Sequence, residues 1–297
     1  MAPVWFITAA SSGFGHGMAL SALERGHTVI ATARKTSRIQ DLADRGAHTL
    51  ALDVTWPLAD QQRIASDIIA RHGRVDYLIN AAGYILEGSV EECSPAEVQD
   101  VFNTNVFGIM NTIKAFLPHL RAQDAVSRPD GRELRATVVA FGSLGSWEGG
   151  AGYSAYGMTK FSTSALMESL HRELEPFRIT AVTIEPGYFR TGFLNPGARV
   201  VSAERMAVYD DESTPTGKTR AALPAVDGKQ PGDVVRGSKV AVDMLTGTGV
   251  AEGKKPVGDR IVLGSDCEQV IRGKCARTLS LLDEWQDVIR STDYPKE

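Results

Sequence analysis

The sequence predicts an α/β fold with a doubly wound, mostly parallel seven-stranded sheet flanked by helices. Short β-rich runs alternate with amphipathic segments along the chain, which is the pattern of repeated βαβ units. Two of the runs, Val4–Ile7 and Thr137–Ala140, are almost continuously apolar, as strands buried on both faces should be. A glycine-rich turn follows the first run, at the place where a first helix should begin.

The predicted elements follow one another in a regular order. The strands are Val4–Thr8, Thr28–Ala33, His48–Leu52, Tyr77–Asn80, Thr137–Phe141, Thr180–Ile184 and Arg260–Leu263. The helices are Gly15–Arg25, Ser37–Arg45, Leu58–His72, Pro95–Leu120, Ser154–Glu175 and Asp233–Leu245, and helical spacing returns in the tail at Glu268–Val288. The fourth helix has a clear start, with Ser94 as N-cap, Pro95 in the first helical position and Glu97 three residues after the cap.

Two stretches interrupt this order. Ser127–Arg135 is a polar turn expected on the surface, and Tyr188–Pro231 is long, rich in proline, glycine and charge, and without clear periodicity. Loops of that length in compact domains are often functional, so we expect the second stretch to cover the substrate. No linker or repeat divides the chain. We therefore predict one domain over residues 1–297, with a cofactor-binding and catalytic core at 1–187, a substrate loop at 188–231 and a C-terminal helical tail at 266–289.

Composition excludes several classes of protein. A net charge of −4 over 297 residues offers no basic surface for nucleic acid. Three widely spaced cysteines without a CxxC pattern disfavour a disulfide framework or a metal site and favour a reducing compartment, so we expect a cytoplasmic protein. No apolar stretch reaches the roughly 20 residues that span a membrane. The first ten residues have no basic residue before their apolar run, so we interpret them as a strand rather than a signal peptide.

The turn between the first strand and the first helix is a candidate cofactor site. Its glycines would let the backbone pass close to a pyrophosphate, whose charge the N–H groups at the helix start would hold. Turns of this kind also serve plain packing. The residues concerned are Thr8, Ser11, Ser12, Gly13, Phe14 and Gly15.

Two basic residues follow the second strand. Arg34 lies 19 positions after Gly15, where dinucleotide folds usually carry an acidic residue that binds the ribose hydroxyl. A guanidinium group cannot accept a hydrogen bond from a hydroxyl, but it pairs well with a ribose phosphate. Arg34, with Lys35 beside it, therefore favours NADP(H) over NAD(H), unless the two residues form only a solvated loop.

Two further strand ends fit a dinucleotide. Asp53 and Val54 could place a carboxylate near the adenine amino group, while Asn80, Ala81 and Gly83 are small residues that allow close approach of the backbone. A strand-end turn needs the same residue types, so a purely structural reason stays open.

Tyr156 and Lys160 form the most informative pair. Residues four apart lie on one face of a helix, so the phenol and the ammonium group share one space. The positive charge would lower the pKa of the phenol from its usual value of about 10. This predicts acid–base chemistry by Tyr156, although an ordinary amphipathic helix can carry the same spacing.

Other polar residues strengthen this interpretation. Ser143 follows the fifth strand, at an edge where α/β sheets bind ligands, and its hydroxyl could hold a substrate oxygen. Asn105 lies in a predicted helix, where its amide could order a relay water near Lys160 or bond to neighbouring backbone. The segment that could wrap the nicotinamide end contains Pro186, Gly187, Phe189 and Thr191.

Together these segments resemble the short-chain dehydrogenase/reductase family, in its single-domain branch with a Rossmann fold and close to retinol- and hydroxysteroid-dehydrogenase-like members. Order and spacing match from Val4 to about Thr191. The resemblance implies an NADP-dependent oxidoreductase that moves a hydride between nicotinamide and a carbonyl or alcohol, needs no metal, and forms a homodimer or homotetramer through the Pro95–Leu120 and Ser154–Glu175 helices.

The resemblance also implies roles for individual residues. Tyr156 would be the general acid/base, and Lys160 would lower its pKa and bind the nicotinamide ribose. Ser143 would orient the carbonyl, and Asn105 would support the proton relay. The implied cofactor groove is lined by Gly13, Phe14, Gly15, Asp53, Val54, Asn80, Ala81, Gly83, Pro186, Phe189 and Thr191.

The sequence departs from the family pattern at two positions. Ala9 stands where the family usually has glycine, which fits if the backbone there keeps a negative φ. Ala81 replaces the second asparagine of an Asn-Asn-Ala-Gly motif. Neither change touches the acid–base group. Tyr153 has Gly157 four positions later and so lacks an ammonium partner, and we interpret it as pocket lining.

Apolar residues near these motifs predict a bulky, fairly apolar substrate. They are Tyr84, Ile85, Leu86, Trp147, Tyr153, Phe193 and Leu194, and core packing could explain several of them. NADP(H) pools in cells usually favour reduction, so a ketone or aldehyde is the preferred substrate.

Two other functions stay open. A non-catalytic NADP-binding sensor or scaffold would be expected to lose Tyr156, Lys160 or Ser143, and all three are present. A sugar-nucleotide epimerase or dehydratase usually has a Gly-x-x-Gly-x-x-Gly turn and a larger C-terminal domain, and this sequence has neither.

Overall fold

The computed structural model of the chain describes residues 2–194 and 198–294, except for the side chains of Phe193 and Pro224. Its centre is a seven-stranded parallel sheet, with strands numbered in chain order. From one edge to the other the strands are β3 (His48–Ala51), β2 (Thr28–Ala33), β1 (Val4–Ile7), β4 (Tyr77–Asn80), β8 (Ala136–Phe141), β9 (Ile179–Pro186) and β11 (Arg260–Leu263). The predicted doubly wound parallel sheet is confirmed, with each strand close to its predicted bounds.

Short strand pairs lie outside this sheet. They are β5 (Ile85–Glu87) with β10 (Arg199–Val201), which are parallel, and β6 (Val126–Ser127) with β7 (Glu133–Leu134), which are antiparallel. The predicted surface turn Ser127–Arg135 therefore belongs to a small hairpin. It is less exposed than expected, because Arg128 is buried and pairs with Asp76 at 3.0 Å.

Helices cover both faces of the sheet. They are α1 (Gly13–Glu24), α2 (Gln40–Asp44), α3 (Leu58–His72), α4 (Pro95–Phe102), α5 (Ile109–Ala122), α6 (Ser154–Leu174), α7 (Pro215–Val226), α8 (Val234–Thr246), α9 (Ser265–Glu284) and α10 (Gln286–Arg290). The predicted capping box is present at α4, because Ser94 Oγ accepts from Glu97 N at 3.3 Å and Glu97 Oε2 accepts from Ser94 N at 2.8 Å. The region predicted as the helix Ser37–Arg45 begins as a 3₁₀ turn, Thr36–Ile39, before α2.

The predicted helix Pro95–Leu120 is not one regular α-helix. A π-helical segment, Asn103–Gly108, separates α4 from α5. Such wider turns are rare and often occur at functional sites. Here the segment contains Asn105, whose side chain is fully buried.

Side chains of β1 alternate between the two faces of the sheet. Trp5 and Ile7 pack in one core with residues of α1 and α8. Val4 and Phe6 point to the opposite face, into a core with residues of α3, α5 and α6. Both faces of the strand are therefore dry, which explains why the first strand is continuously apolar.

The predicted substrate loop contains more regular structure than its composition suggested. It includes β10 and α7, and α7 begins after Thr214, whose hydroxyl accepts from Gly217 N at 3.0 Å. Residues 195–197 of this stretch lie outside the described residues. The predicted tail is present as α9 and α10, and no helix in the described ranges is long and apolar enough to cross a membrane.

Candidate active site

A cavity of about 1090 Å³ opens at the carboxyl ends of β1, β4, β8 and β9. At β1 the order of the strands reverses, and ligands bind outside the carboxyl ends of open α/β sheets at such a point. The predicted cofactor and catalytic residues that line the cavity are Ser11, Ser12, Gly13, Phe14, Gly15, Arg34, Asp53, Val54, Ala81, Gly83, Ser143, Tyr156, Lys160, Pro186, Gly187, Phe189 and Thr191. The fold thus gathers residues from distant motifs into one cleft.

Three predicted cofactor residues are not among those that line this cavity. Thr8 Oγ1 accepts from Ala81 N at 3.0 Å, and the Asn80 amide donates to Val139 O at 3.0 Å. Both side chains therefore hold neighbouring strand ends together beneath the cleft. Lys35 is exposed at the start of the 3₁₀ turn that follows β2.

The predicted substrate residues separate into two groups. Tyr84, Tyr153 and Leu194 line the cavity, as does Ile85. Leu86 does not, because it is 1% exposed and packs in a small core with Val101 and Ala155. The side chain of Phe193 lies outside the described part of the structure.

Trp147 does not belong to the cavity lining either. Its indole N–H donates to Glu185 Oε2 at 2.8 Å, and the Arg260 guanidinium lies over its ring, 5.0 Å from the centroid. Glu185 is fully buried and is also bound by Arg260 and by Ser164 Oγ, the latter at 3.0 Å. Burial raises the pKa of Glu185, although the contacts with Trp147 and Arg260 oppose this. This cluster anchors the turn after Ser143 to β9.

A second buried carboxylate fastens the segment over the cavity. We call residues 199–226 the cover, and its Arg220 pairs with Glu92 in the body of the protein. Burial alone would raise the pKa of Glu92, but hydrogen bonds from Arg220, Met206 N and Ser89 outweigh it and lower the pKa to about 2. Sequence reasoning missed this contact because the two residues are 128 positions apart.

The cover also contributes to the apolar end of the cavity. Four residues of α7 line the cavity, and three of them are apolar: Ala222, Leu223 and Val226, with Thr219 as the fourth. These three side chains suit an apolar part of a ligand.

The glycine-rich turn has an unexpected backbone conformation at Ala9. Ala9 has φ 51°, so the expectation of a negative φ there is wrong. A Cβ added to Gly15 would lie 2.9 Å from Ala9 O, which shows how closely the turn approaches α1. Ala9 therefore adopts a left-handed conformation, which is unfavourable for residues that have a Cβ.

Ala9→Gly should stabilise the protein by about 0.5–1 kcal/mol, because glycine adopts a positive φ without steric cost. The free energy of unfolding in urea measures this. Ala10→Gly is the matched control, since φ of Ala10 is not positive and its side chain is fully buried. That change should destabilise the protein, and equal effects of the two would show that Ala9 carries no strain.

Ser143, Tyr156 and Lys160 meet at the centre of the cavity. The Ser143 hydroxyl bonds with Tyr156 and accepts from Gly145 N at 3.1 Å. Lys160 Nζ lies 5.6 Å from the centre of the Tyr156 ring and donates to Phe141 O at 2.7 Å. The fold therefore brings the Tyr156 phenol, the Ser143 hydroxyl and the Lys160 amine together, as the sequence predicts.

Burial controls the protonation of this group. Burial raises the pKa of Tyr156, and the hydrogen bond with Ser143 acts in the opposite direction without reversing the shift. Burial also lowers the pKa of Lys160 to about 8. The expectation that the neighbouring amine lowers the pKa of Tyr156 is wrong, because removal of the phenol from water raises that pKa.

Asn105 holds the backbone beside this group. Its Oδ1 accepts from Tyr84 N at 3.0 Å, and its Nδ2 donates to Tyr84 O at 2.9 Å and to Thr159 Oγ1 at 3.1 Å. A Cβ on Gly83 would lie 3.3 Å from Asn105 Oδ1 and 3.7 Å from Lys160 Nζ. The side chain thus makes the backbone contacts that the sequence left open as an alternative to water binding.

Arg34 lines the far end of the cavity, beyond the glycine-rich turn. Its side chain is exposed, and within residues 2–194 and 198–294 it forms no ion pair. Asp53 nearby accepts from Thr55 N at 3.0 Å and Thr55 Oγ1 at 2.7 Å, so its carboxylate is fixed in orientation. This end offers a cation and an oriented carboxylate to a ligand.

Known proteins resemble this chain in sequence and in structure. The short chain dehydrogenase family model matches residues 3–199. A 3-ketodihydrosphingosine reductase from Bacteroides thetaiotaomicron is 35% identical over 187 residues. The match covers 63% of this chain and 64% of that protein, so the chain spans less than two thirds of this relative. Oxidoreductase claN from Passalora fulva is 35% identical over 208 residues, 69% of this chain and 90% of that one. A short-chain dehydrogenase from Streptomyces avermitilis has a crystal structure that matches with a TM-score of 0.82 at 34% identity, over 99% of both chains.

Proposed function

This chain belongs to the short-chain dehydrogenase/reductase family, and from that premise we propose that it is an NADPH-dependent carbonyl reductase. Family membership supports an oxidoreductase with a nicotinamide cofactor. The finer proposal is that it transfers a hydride between NADP(H) and a ketone or aldehyde of a bulky apolar compound, or the corresponding alcohol. The observation that carries it is the meeting of Ser143, Tyr156 and Lys160 in one cavity with the glycine-rich turn.

The residues of the cavity fit a dinucleotide. Gly13 has φ +59° and opens α1, whose first N–H groups have no partner within the helix and suit a phosphate. A side chain at Gly15 would collide with the Ala9 carbonyl, so the glycine keeps the turn compact. When bound, the nicotinamide supplies the hydride that adds to the carbonyl carbon.

In the direction of reduction, Tyr156 donates its phenolic proton to the carbonyl oxygen as that oxygen gains the electron pair of the broken π bond. Ser143 holds the same oxygen through its hydroxyl. The raised pKa of Tyr156 supports this direction, because the phenol is then protonated at neutral pH. The charge of Lys160 favours the phenolate that remains after the proton has left.

The preference for NADP(H) rests on Arg34. Its exposed guanidinium could pair with the phosphate on the adenosine ribose, which NAD(H) lacks. Arg34→Asp should lower the ratio of kcat/KM for NADPH to that for NADH by about a hundredfold, because a carboxylate repels the phosphate and can bind the free hydroxyl. Initial rates with each cofactor measure this ratio.

Arg38→Asp is the matched control for that change. Arg38 is exposed in the next turn and does not belong to the cavity lining, but the change in charge is the same. It should alter the ratio by less than about threefold. An unchanged ratio in Arg34→Asp would contradict the proposed preference for NADP(H), but it would not contradict the proposed oxidoreductase activity.

The substrate proposal rests on the apolar end of the cavity. Tyr84, Ile85, Leu194 and the α7 residues present hydrocarbon surface there. The relative from Bacteroides thetaiotaomicron is named as a reductase of a 3-keto compound, which agrees with a ketone as substrate. A panel of apolar ketones and aldehydes, with NADPH oxidation followed by absorbance, tests the function. Absence of turnover with every carbonyl, together with tight NADPH binding, would favour a sensor.

Assembly and location also belong to this proposal. Phe107, Met158 and Phe161 are exposed on the segment between α4 and α5 and on α6, and such apolar side chains support a homodimer or homotetramer through these helices. Cys93, Cys267 and Cys275 are free thiols, which supports a cytoplasmic location.

A further inference from the structure

A second cavity, of about 640 Å³, lies at the amino ends of the strands, on the edge of the sheet opposite the active site. We call it the basal cavity. Among its walls are Pro3 before β1, His27 before β2, Asp76 before β4, Arg128 of the hairpin and Lys239 of α8. The active site does not use any of these residues.

Positive charge is in excess in the basal cavity. The cavity is lined by four cationic side chains, Arg25, Arg74, Arg128 and Lys239. Only two carboxylates line it, Asp76 and Asp243. Asp76 is engaged by Arg74 at 2.9 Å and by Arg128 at 3.0 Å, and Asp243 is engaged by Arg25. Both carboxylates are therefore neutralised within the wall. Two positive charges remain for which the cavity lining offers no counter-ion.

Hydrogen-bond donors in the wall also lack acceptors. The Arg128 side chain is only 5% exposed, and its Nε has no hydrogen-bond partner among the described groups. Trp5 Nε1, which can only donate, lies 3.0 Å from His27 Nδ1. The Nδ1 of His27 is therefore the acceptor, and a neutral ring carries its proton on Nε2 as a further donor. Lys239 is exposed and forms no ion pair within the described ranges.

Unpaired buried donors are uncommon and call for a partner. We propose that the basal cavity binds a small phosphate-bearing molecule between Arg128 and Lys239. A phosphate group has the charge to balance the excess and enough oxygens to accept from a guanidinium, an ammonium and an imidazole N–H. The volume leaves room for a small organic group beyond the phosphate. The site is separate from the cofactor groove, because the full length of the strands lies between them.

Calorimetric titration tests this with inorganic phosphate as the probe. The full chain is first saturated with NADPH, so that the groove near Arg34 is occupied, and chloride keeps the ionic strength constant. We expect saturable binding at about millimolar concentration or below, and a rise in melting temperature with phosphate. Lys239→Glu should weaken phosphate at least about tenfold, because one nearby attraction becomes a repulsion.

Lys114→Glu is the matched control. Lys114 is exposed on α5, on the opposite face of the sheet, and the change in net charge is identical. Phosphate affinity should stay within about twofold in this variant. The proposal is overturned if phosphate gives no saturable heat, or if both variants weaken it equally. Neither variant touches the proposed catalytic group, so these results do not depend on the carbonyl reductase assay.

Discussion

Tyr156→Phe should lower kcat for carbonyl reduction by about a hundred- to ten-thousand-fold, because the phenylalanine ring has no proton to donate. The ring itself remains, so packing in the cleft and NADPH affinity should change by no more than about threefold. Steady-state rates give kcat, and fluorescence titration gives the dissociation constant of NADPH. Loss of turnover without loss of binding separates chemistry from a damaged fold.

Tyr153→Phe is the control that distinguishes the two tyrosines. Tyr153 lies three residues earlier and also lines the cavity, but it has no lysine four positions later. Its variant should keep kcat within about tenfold of the parent, even if KM changes. Turnover by Tyr156→Phe at the parent rate would end the assignment of the proton donor, whatever the behaviour of Tyr153→Phe.

Arg260→Met should destabilise the protein by about 3–5 kcal/mol, because it leaves the carboxylate of Glu185 buried without its cation. Denaturant unfolding at neutral pH measures this loss. Glu185 already has a pKa raised by burial, and removal of Arg260 would raise it further. When the folded-state pKa of a carboxyl group is raised, the stability of the protein falls as the pH rises through that pKa. The variant should therefore regain part of its stability as the solution is made mildly acidic.

Arg172→Met provides an exposed counterpart. Arg172 pairs with Glu168, which Arg260 also contacts, but the Arg172 side chain is 78% exposed against 24% for Arg260. Its loss should cost less than about 0.5 kcal/mol. Adding Glu185→Gln to Arg260→Met should recover much of the stability, because no charge is then left in the core. Equal losses in Arg260→Met and Arg172→Met would show that Glu185 does not depend on its cation.

Local signals were sufficient for most of the fold. The helix over Leu58–His72 is observed with its predicted bounds, between Pro57 and a left-handed Gly73 at φ 79°. The π-helical segment could not be predicted, because contacts distant in sequence hold it. Asn105 bonds to Tyr84 and Thr159. By contrast, the start of α7 could have been predicted. Thr214 is followed by a proline, as Ser94 is at the start of α4, but the proline- and glycine-rich composition of the stretch obscured this signal.

The sequence could predict those parts of the site whose residues belong to one motif and lie on the same face of one helix. Tyr156 and Lys160 needed only helical spacing to be placed together. The shift in the pKa of Tyr156 was not predictable, because burial depends on the whole cleft. Glu185 and Arg260 are 75 positions apart, so nothing local marks them as partners. The sole hint was a carboxylate at the end of an apolar strand.

The ion pair between Glu92 and the cover has a consequence for acid tolerance. With a pKa of about 2, Glu92 keeps its negative charge in any moderately acidic buffer, and Arg220 stays protonated throughout. Lowering the pH into that range leaves the pair between Glu92 and Arg220 intact. A fall of activity in mild acid is therefore not caused by loss of this ion pair.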